Sequence, residues 1–591
     1  MAQVRTAVVG IGRRERAGLI RGLIVAAGMC VPAAQSIAQI YTSPPAARGA
    51  DGQTIEFLVP VAITDGLDLS GQDGADGHGG LYYLTPNNEV LSSAQPGGNG
   101  GDGGSLILAA GGLISLNASA YVDLSGGTGG QGGTAMYAFP WPPRSDDIAP
   151  DGVGGRGGDL ILGGPSTLNL AGSATINASG GGAASLPYDL STNGVGGFFY
   201  ADALNSTLRD NSRLVGFSTM RLRGASQMTV RDNARLTMQG RRLQGGGRSV
   251  MRVDEGSTLR VQGGEVEVTS FELDGSILRI AGGRFSTSGE ANDANTASFS
   301  ARASYVEVTD GQLEFEPESI RTFSEDTIMR VTGGEMIFAS SRGLEVPTIF
   351  DDSKLEMYGG RWAGAMQPVR ATNGAEVNLL GGVVELSQNS YLQRRVDTAY
   401  TADDSIIRIG QNNAGPDITL ALRPEDPAIQ LRSSTLDYNA GRLDLRGMIR
   451  LSQNSTFRVH AGNFETGYVS GGLDWQSGSV IITNSYAELG SVSALGRLLG
   501  GDNTVISTGQ TLTATSGVGI RQTALLVENG GSFGAGTLVG LGTGAFGNAA
   551  AFSIETSSGS AVKIDNNLMT ASLSASATTP GVIRGDMNLA G

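Results

Sequence analysis

Residues 257–268 read Ser257-Thr258-Leu259-Arg260-Val261-Gln262-Gly263-Gly264-Glu265-Val266-Glu267-Val268. Apolar and polar residues alternate, a Gly-Gly pair interrupts, and the alternation resumes. A period of two marks a half-buried strand. Glycine reaches positive φ without a Cβ clash, so the pair predicts a sharp corner between two strands. The unit recurs at Ile280-Ala281-Gly282-Gly283-Arg284-Phe285, Val331-Thr332-Gly333-Gly334-Glu335-Met336, Leu355 to Trp362 around Gly359-Gly360, and Val377 to Val384 around Gly381-Gly382. Weaker copies lie at Leu436 to Leu445 and Phe457 to Phe464. A strand–corner–strand unit cannot bury its apolar face alone. Stacked copies pair their backbones and close a shared core. The expected fold is all-β, a right-handed parallel β-helix (β-solenoid) with glycine-rich loops. A β-sandwich array or a propeller would also give short alternating strands. A corner recurring once per short repeat suits a coil better than a four-stranded blade.

Working outward, residues 39–200 carry a second repeat. Gly100-Gly101-Asp102-Gly103-Gly104-Ser105-Leu106-Ile107-Leu108 aligns without a gap on Gly154-Gly155-Arg156-Gly157-Gly158-Asp159-Leu160-Ile161-Leu162, and the match runs on to Ser125-Gly126-Gly127 and Ser179-Gly180-Gly181. Leu67-Asp68-Leu69-Ser70-Gly71 is a partial earlier copy of Val122-Asp123-Leu124-Ser125-Gly126. Each unit reads as strand, corner, strand and a polyglycine excursion. Phe139-Pro140-Trp141-Pro142-Pro143 reads as an extended loop with exposed aromatics, and Phe139 and Trp141 are the candidate contact residues. Residues 201–480 hold the regular repeats. From 481 to 591 the sequence turns to Gly, Ala, Ser and Thr with short apolar strands, read as further coils; disorder of low complexity is the alternative.

Residues 1–38 read as an export signal. Arg5, Arg13, Arg14, Arg16 and Arg21 form a basic n-region, Gly22 to Val31 is apolar, and Ser36-Ile37-Ala38 carries small residues where a signal peptidase reads. Cleavage is expected between Ala38 and Gln39. The apolar run is short for a membrane span, although an uncleaved anchor is the alternative. Cys30, the single cysteine, lies in this run, so the processed chain would hold no thiol. Met29 before it is too bulky for a lipidation site.

The 591 residues carry 92 glycines and 19 prolines, which with no strict Gly-X-Y period excludes collagen. A formal charge of −15 argues against nucleic acid as a partner. Basic charge is almost all arginine, with Lys354 and Lys563 the only lysines.

Acid pairs occur at Asp146-Asp147, Asp351-Asp352 and Asp403-Asp404. Carboxylate pairs can hydrolyse glycosides, but each pair precedes a strand, where Asp supports a turn. Gly77-His78-Gly79 resembles a polygalacturonase motif. In that family the histidine follows the aspartate pair and precedes Arg-Ile-Lys. Here His78 comes first, and Arg408-Ile409-Gly410 lacks the lysine, so the motif is not that one. His460 lies in an alternating strand and is expected to face solvent. Two histidines so far apart do not suit a triad or a zinc site. Gly97-Gly98-Asn99-Gly100-Gly101-Asp102 matches the start of a calcium-binding nonapeptide, but the aligned copy has Arg156 in place of Asp102. Arg584-Gly585-Asp586 is an integrin-type tripeptide that arises easily by chance. No catalytic, metal or cofactor site is expected, and no cofactor.

The export signal, cysteine-free mature part, glycine-rich strand repeats and acidic charge resemble the passenger regions of bacterial autotransporters and other large surface adhesins. The resemblance covers residues 39–591 and rests on repeat style. It implies a right-handed β-helix displaying loops for attachment or aggregation at the cell surface or outside the cell. The sequence lacks the amphipathic strand series of the autotransporter barrel, so a longer chain, secretion or an outer-membrane translocator partner would have to supply anchoring. The expected partners are a host or bacterial cell surface, a polysaccharide or a matrix component, with self-association also open. The expected function is a non-enzymatic adhesin-like structural protein. The alternatives are a polysaccharide lyase or glycoside hydrolase on the same fold, and a self-assembling matrix or sheath component.

Overall fold

The computed structural model describes residues 19–20, 51–57, 60–73, 81–82, 100–108, 112–117, 119–128, 136–137, 155–180, 196–238, 249–287, 298–315, 320–338, 348–365, 369–387, 400–411, 415–421, 427–460, 468–469, 472–483, 487–489, 503–516, 518–520, 524–540, 552–557, 559–570, 573–577, 582–583 and 586–589. Among these every regular element is a strand. The chain forms two compact units, residues 1–299 and 300–591.

In the first unit the strands fall into three parallel columns, visited in turn by the chain. One column stacks Thr54–Phe57, Leu106–Leu108, Leu160–Leu162, Phe198–Asp202, Thr219–Arg223, Val250–Val253 and Ser270–Asp274. A second stacks Val61–Ile63, Leu113–Leu116, Thr167–Leu170, Asn205–Leu208, Gln227–Arg231, Thr258–Gln262 and the first half of Ile277–Thr287. The third stacks Gly66–Asp68, Tyr121–Asp123, Thr175–Asn177, Arg213–Phe217, Arg235–Met238, Glu265–Val268 and the second half of Ile277–Thr287. Leu106 pairs with Leu160 and Leu116 with Leu170, so the aligned repeats of the sequence lie directly on one another. Alternation sends every second side chain inward: Leu106, Leu160, Phe199, Met220, Met251 and Phe271 form one buried column. Phe271 packs edge-on to Phe285 with centroids 4.9 Å apart.

The second unit repeats the plan. Ile320–Ser324, Thr348–Asp351, Val369–Thr372, Tyr400–Asp403, Pro427–Arg432, Met448–Ser452 and Leu473–Trp475 form one column. Tyr305–Phe315, Ile328–Val331, Lys354–Met357, Glu376–Leu379, Ile406–Ile409, Thr435–Tyr438 and Thr456–His460 form another. The glycine- and serine-rich tail continues the latter through Gly478–Thr483, Gln510–Ala514 and Ser532–Gly540. The fold is thus all-β with long parallel sheets, of solenoid type.

The Gly-Gly corners stack as the sequence suggests, but the left-handed position is not the same in each: it is Gly263 in Gly263-Gly264, both residues in Gly282-Gly283, and the second glycine of the pairs in the second unit. Gly334, Gly360 and Gly382 have φ of 69°, 78° and 85°, whereas Gly333, Gly359 and Gly381 do not enter that region. A Cβ on Gly360 would sit 2.7 Å from the Gly334 carbonyl, and one on Gly382 2.6 Å from that of Gly360. Glycine is required there by conformation and by contact between coils. At Gly381 contact alone requires it, since a Cβ would lie 2.4 Å from the Tyr358 carbonyl.

A second line of corners carries buried hydroxyls. The N–H of Leu204 donates to Ser226 Oγ (2.9 Å), that of Ser226 to Ser257 Oγ (3.0 Å) and that of Ser257 to Ser276 Oγ (3.1 Å). The second unit repeats this: Ser304 N–H reaches Thr327 Oγ1 (3.2 Å), Ser405 N–H reaches Ser434 Oγ (3.0 Å), and Ser434 N–H reaches Ser455 Oγ (3.2 Å). Several of these hydroxyls donate back to a carbonyl two or three residues upstream, as Ser434 does to Arg432 and Ser455 to Ser452. Each thus joins its own turn to the neighbouring coil, leaving buried backbone groups paired.

The described glycine tracts correct the reading of them as excursions. Gly101 N–H bonds to Gln72 O, Gly52 N–H to Asp102 O, Gly127 N–H to Gly101 O, and Gly103 N–H to Arg156 O, all at 2.7–2.8 Å. Segment 100–104 therefore has four bonded neighbours, where a pleated strand has two. A Cβ on Gly103, Gly104 or Gly158 would meet backbone at 2.0 Å or less. At these glycines backbone packs directly on backbone, leaving no room for a Cβ. The tracts that begin at Ser70, Ser125 and Ser179 are entered through a [Asp/Asn]-x-Ser motif. Asp68 Oδ1 accepts from Ser70 N (3.0 Å), Asp123 Oδ1 from Ser125 N (2.9 Å), and Asn177 Oδ1 from Ser179 N (3.2 Å).

Candidate functional surface

Of the carboxylate pairs, Asp351-Asp352 and Asp403-Asp404 serve turns. Asp352 and Asp404 hold left-handed backbone, with φ of 45° and 48°. Asp351 Oδ1 accepts from Thr372 Oγ1 (2.9 Å), and the Asp404 carbonyl accepts from Gly374 N (2.8 Å). Asp146-Asp147 lies outside the described residues, as do His78, Phe139, Trp141, Ala38 and Gln39. Of the segment read as a signal, Leu19–Ile20 pairs with Thr54–Ile55.

Asp102 takes the place of a turn-stabilising group: its Oδ1 accepts the Arg156 N–H at 2.7 Å, and the Asp102 N–H donates to Asp51 Oδ1 at 3.2 Å. Among the described residues no three His, Cys, Asp or Glu side chains gather as a metal site. His460 lies on the outward face of its strand, as the alternation predicts, and is half-buried there with its Nε2 3.9 Å from Asp437 Oδ1.

The outward face of the second unit is a line of alternating charge. Glu307, Arg330, Glu356, Asn378, Arg408, Asp437 and Arg458 occupy one register, coil upon coil. Arg330 lies 2.6 Å from Glu356, Lys354 bridges Glu356 (3.2 Å) and Glu376 (3.4 Å), and Arg408 lies 2.7 Å from Glu376. Burial alone would raise the Glu356 carboxyl, but hydrogen bonds and charge from Arg330 and Lys354 outweigh it and hold the group below its ordinary range. Glu376 is lowered in the same way by Asn378, Arg408 and Lys354 against its own burial.

Among the described residues one cation is inside. Arg321 is fully buried, its guanidinium 4.7 Å from the Phe338 ring centre and 5.5 Å from that of Phe315. Burial pushes its pKa down to about 9. The alternation of its strand predicts a core position for residue 321, but not that an arginine would fill it.

The first unit differs in carrying arginine on arginine. Arg209-Asp210-Asn211-Ser212-Arg213 and Arg231-Asp232-Asn233-Ala234-Arg235 form stacked corners, with Arg213 in register with Arg235. This repeated motif was visible in the sequence as a near-identical pair of segments, though its charge stands out only once the two coils are stacked.

Comparison with family models, with curated proteins and with solved structures finds no match for the chain.

Proposed function

We propose that the protein is an exported, non-enzymatic structural protein of adhesin type, wound as a right-handed parallel β-helix that displays loops to a cell surface, a polysaccharide or a matrix component. The export signal ending at Ala38 and the Phe139–Pro143 loop belong to this reading, as does anchoring by an outer-membrane translocator or by self-association. The supporting observation is how the polar side chains of the coils are used. Asp351, Asp352 and Asp404 serve turns, the buried hydroxyls tie coil to coil, and Glu356 and Glu376 are held by cations on the neighbouring strands. Such groups are committed to the stack, and a reaction centre needs groups free to converge on substrate.

The test is attachment. Beads carrying the protein should adhere to cells or to a polysaccharide-coated surface, and deleting residues 137–145 should reduce adhesion while the melting temperature holds. Release of reducing ends or unsaturated sugars from a polysaccharide panel would replace this reading with the enzyme one. N-terminal sequencing of exported protein should begin at Gln39.

A further inference from the structure

The corners 209–213 and 231–235 set four guanidinium groups on two successive coils of the first unit. Arg209, Arg213 and Arg235 are exposed, and the Arg231 side chain is 43% exposed. Like charges directly opposed across a parallel pair cost stability, and the compensation here is partial. Arg209 is 3.9 Å from Asp210 and Arg231 3.7 Å from Asp232, but each carboxylate is also engaged along the stack. Asp210 Oδ2 accepts from Gly172 N–H (3.0 Å) and Asp232 Oδ2 from Asp210 N–H (3.4 Å). Arg235 meets Glu265 at 3.2 Å, and Arg213 has no ion-pair partner among the described residues. The Arg221–Arg252 neighbours of the same unit are different, because both grip the buried Asp254 carboxylate at 2.8 and 3.1 Å.

Beside these arginines, the outward positions of the preceding strands are also duplicated. Asn205 pairs with Gln227 and Thr207 with Thr229. The coil before holds Ala171-Gly172-Ser173-Ala174 at the corner and the coil after holds Gln262-Gly263-Gly264-Glu265, so the arginine corners are two coils high, while Arg260 continues the Thr207–Thr229 register on the third coil. Each coil thus offers the same series, an amide, a hydroxyl and two guanidinium groups, one strand spacing (~4.8 Å) above the last.

We propose that this face binds an anionic polysaccharide. The arginines would take carboxylate or sulfate groups in charge-assisted hydrogen bonds, and the amides and hydroxyls would take sugar hydroxyls on neighbouring residues of the glycan. This rests on the reading of the protein as an attachment protein and supplies a ligand class for it. The paired amide and threonine positions supply neutral donors and acceptors for sugar hydroxyls between the charged groups, and the oligonucleotide probe below separates this ligand from a nucleic acid.

The experiment uses the full chain with polygalacturonate, dextran sulfate, neutral dextran and a single-stranded oligonucleotide as probes. The expected result is binding of polygalacturonate, dextran sulfate or both, weakened by salt, with neutral dextran ignored. Which of the two binds assigns the anion as carboxylate or sulfate. The combined variant Arg209→Gln, Arg213→Gln, Arg231→Gln, Arg235→Gln should lose roughly tenfold or more in affinity, whereas Arg302→Gln in the second unit should not. Should the combined variant melt early, dicarbonyl modification of the unaltered protein replaces it, and bound polyanion must shield these four arginines. No polyanion binding, unchanged affinity in the variant, no shielding, or equal binding of the oligonucleotide each overturns the proposal. Cell attachment that persists without polyanion binding defeats this site alone. Loss of attachment by the unaltered protein defeats the parent reading.

Discussion

The backbone N–H of Ser226 donates to the hydroxyl of Ser257, 3.0 Å away and 31 residues further along the chain. Both residues are fully buried. Ser257→Ala would strand that N–H where water cannot reach it, at a cost of about 1–3 kcal/mol. Chemical denaturation should show the midpoint falling with an unchanged slope. A variant as stable as the parent would mean that the hydroxyl line contributes nothing.

Gly382 and Gly374 share a φ of +85°, but only Gly382 is crowded. A Cβ at Gly374 meets nothing within 4 Å. Gly374→Ala should therefore cost only the left-handed penalty, ~1–2 kcal/mol. Gly382→Ala should cost clearly more, because its methyl group must displace the Gly360 carbonyl. Thermal melts of the two variants should rank in that order.

Acid should loosen the second unit through its charge line. Glu356 and Glu376 are lowered in the folded protein. A carboxylate with a depressed folded pKa contributes stability above its unfolded pKa, ~4.3 for Glu, and that contribution is lost as pH falls through the folded value. The melting temperature should stay level from neutral pH to about pH 5 and drop below about 4. Glu356→Gln should lower it at neutral pH and make the acid limb shallower. A parallel downward shift at every pH would count against the ion pairs.

Tyr400 is buried against Trp362, ring centres 6.1 Å apart, and its hydroxyl has no hydrogen-bond partner among the described residues. Burial accordingly raises its pKa. Tyr400→Phe keeps the ring and removes a desolvated hydroxyl, so stability should hold or rise by up to about 1 kcal/mol. A marked loss on calorimetry would reveal a partner for that oxygen.

Much of this architecture is legible in local sequence, because strands and corners are local events. Alternation places Leu259, Val261, Val266 and Val268 inside, and all four are buried. The ungapped match of Leu106-Ile107-Leu108 with Leu160-Ile161-Leu162 anticipates their pairing. What escapes is set by the neighbouring coil. Ser257 looks like an ordinary turn serine until the coil carrying Ser226 lies against it. Gly103 looks like loop until four other segments surround it. The second glycine of Gly381-Gly382 turns left-handed for reasons that the pair alone does not state. The arginine corners were equally plain as letters, yet Arg213 and Arg235 become neighbours only through stacking.

The separation of 22 residues between Asp210 and Asp232, at matching points of adjacent coils, has a genetic corollary. An in-frame loss of residues 209–230 would join Leu208 directly to Arg231-Asp232-Asn233-Ala234-Arg235. The junction would still read as a native corner. Phe198–Asp202 would then face Val250–Val253, and Asn205–Leu208 would face Thr258–Gln262, strands of the same pattern already matched to the departed coil. Unequal recombination between such segments can therefore lengthen or shorten the gene by whole turns, leaving each surviving turn a neighbour of the shape it already fits.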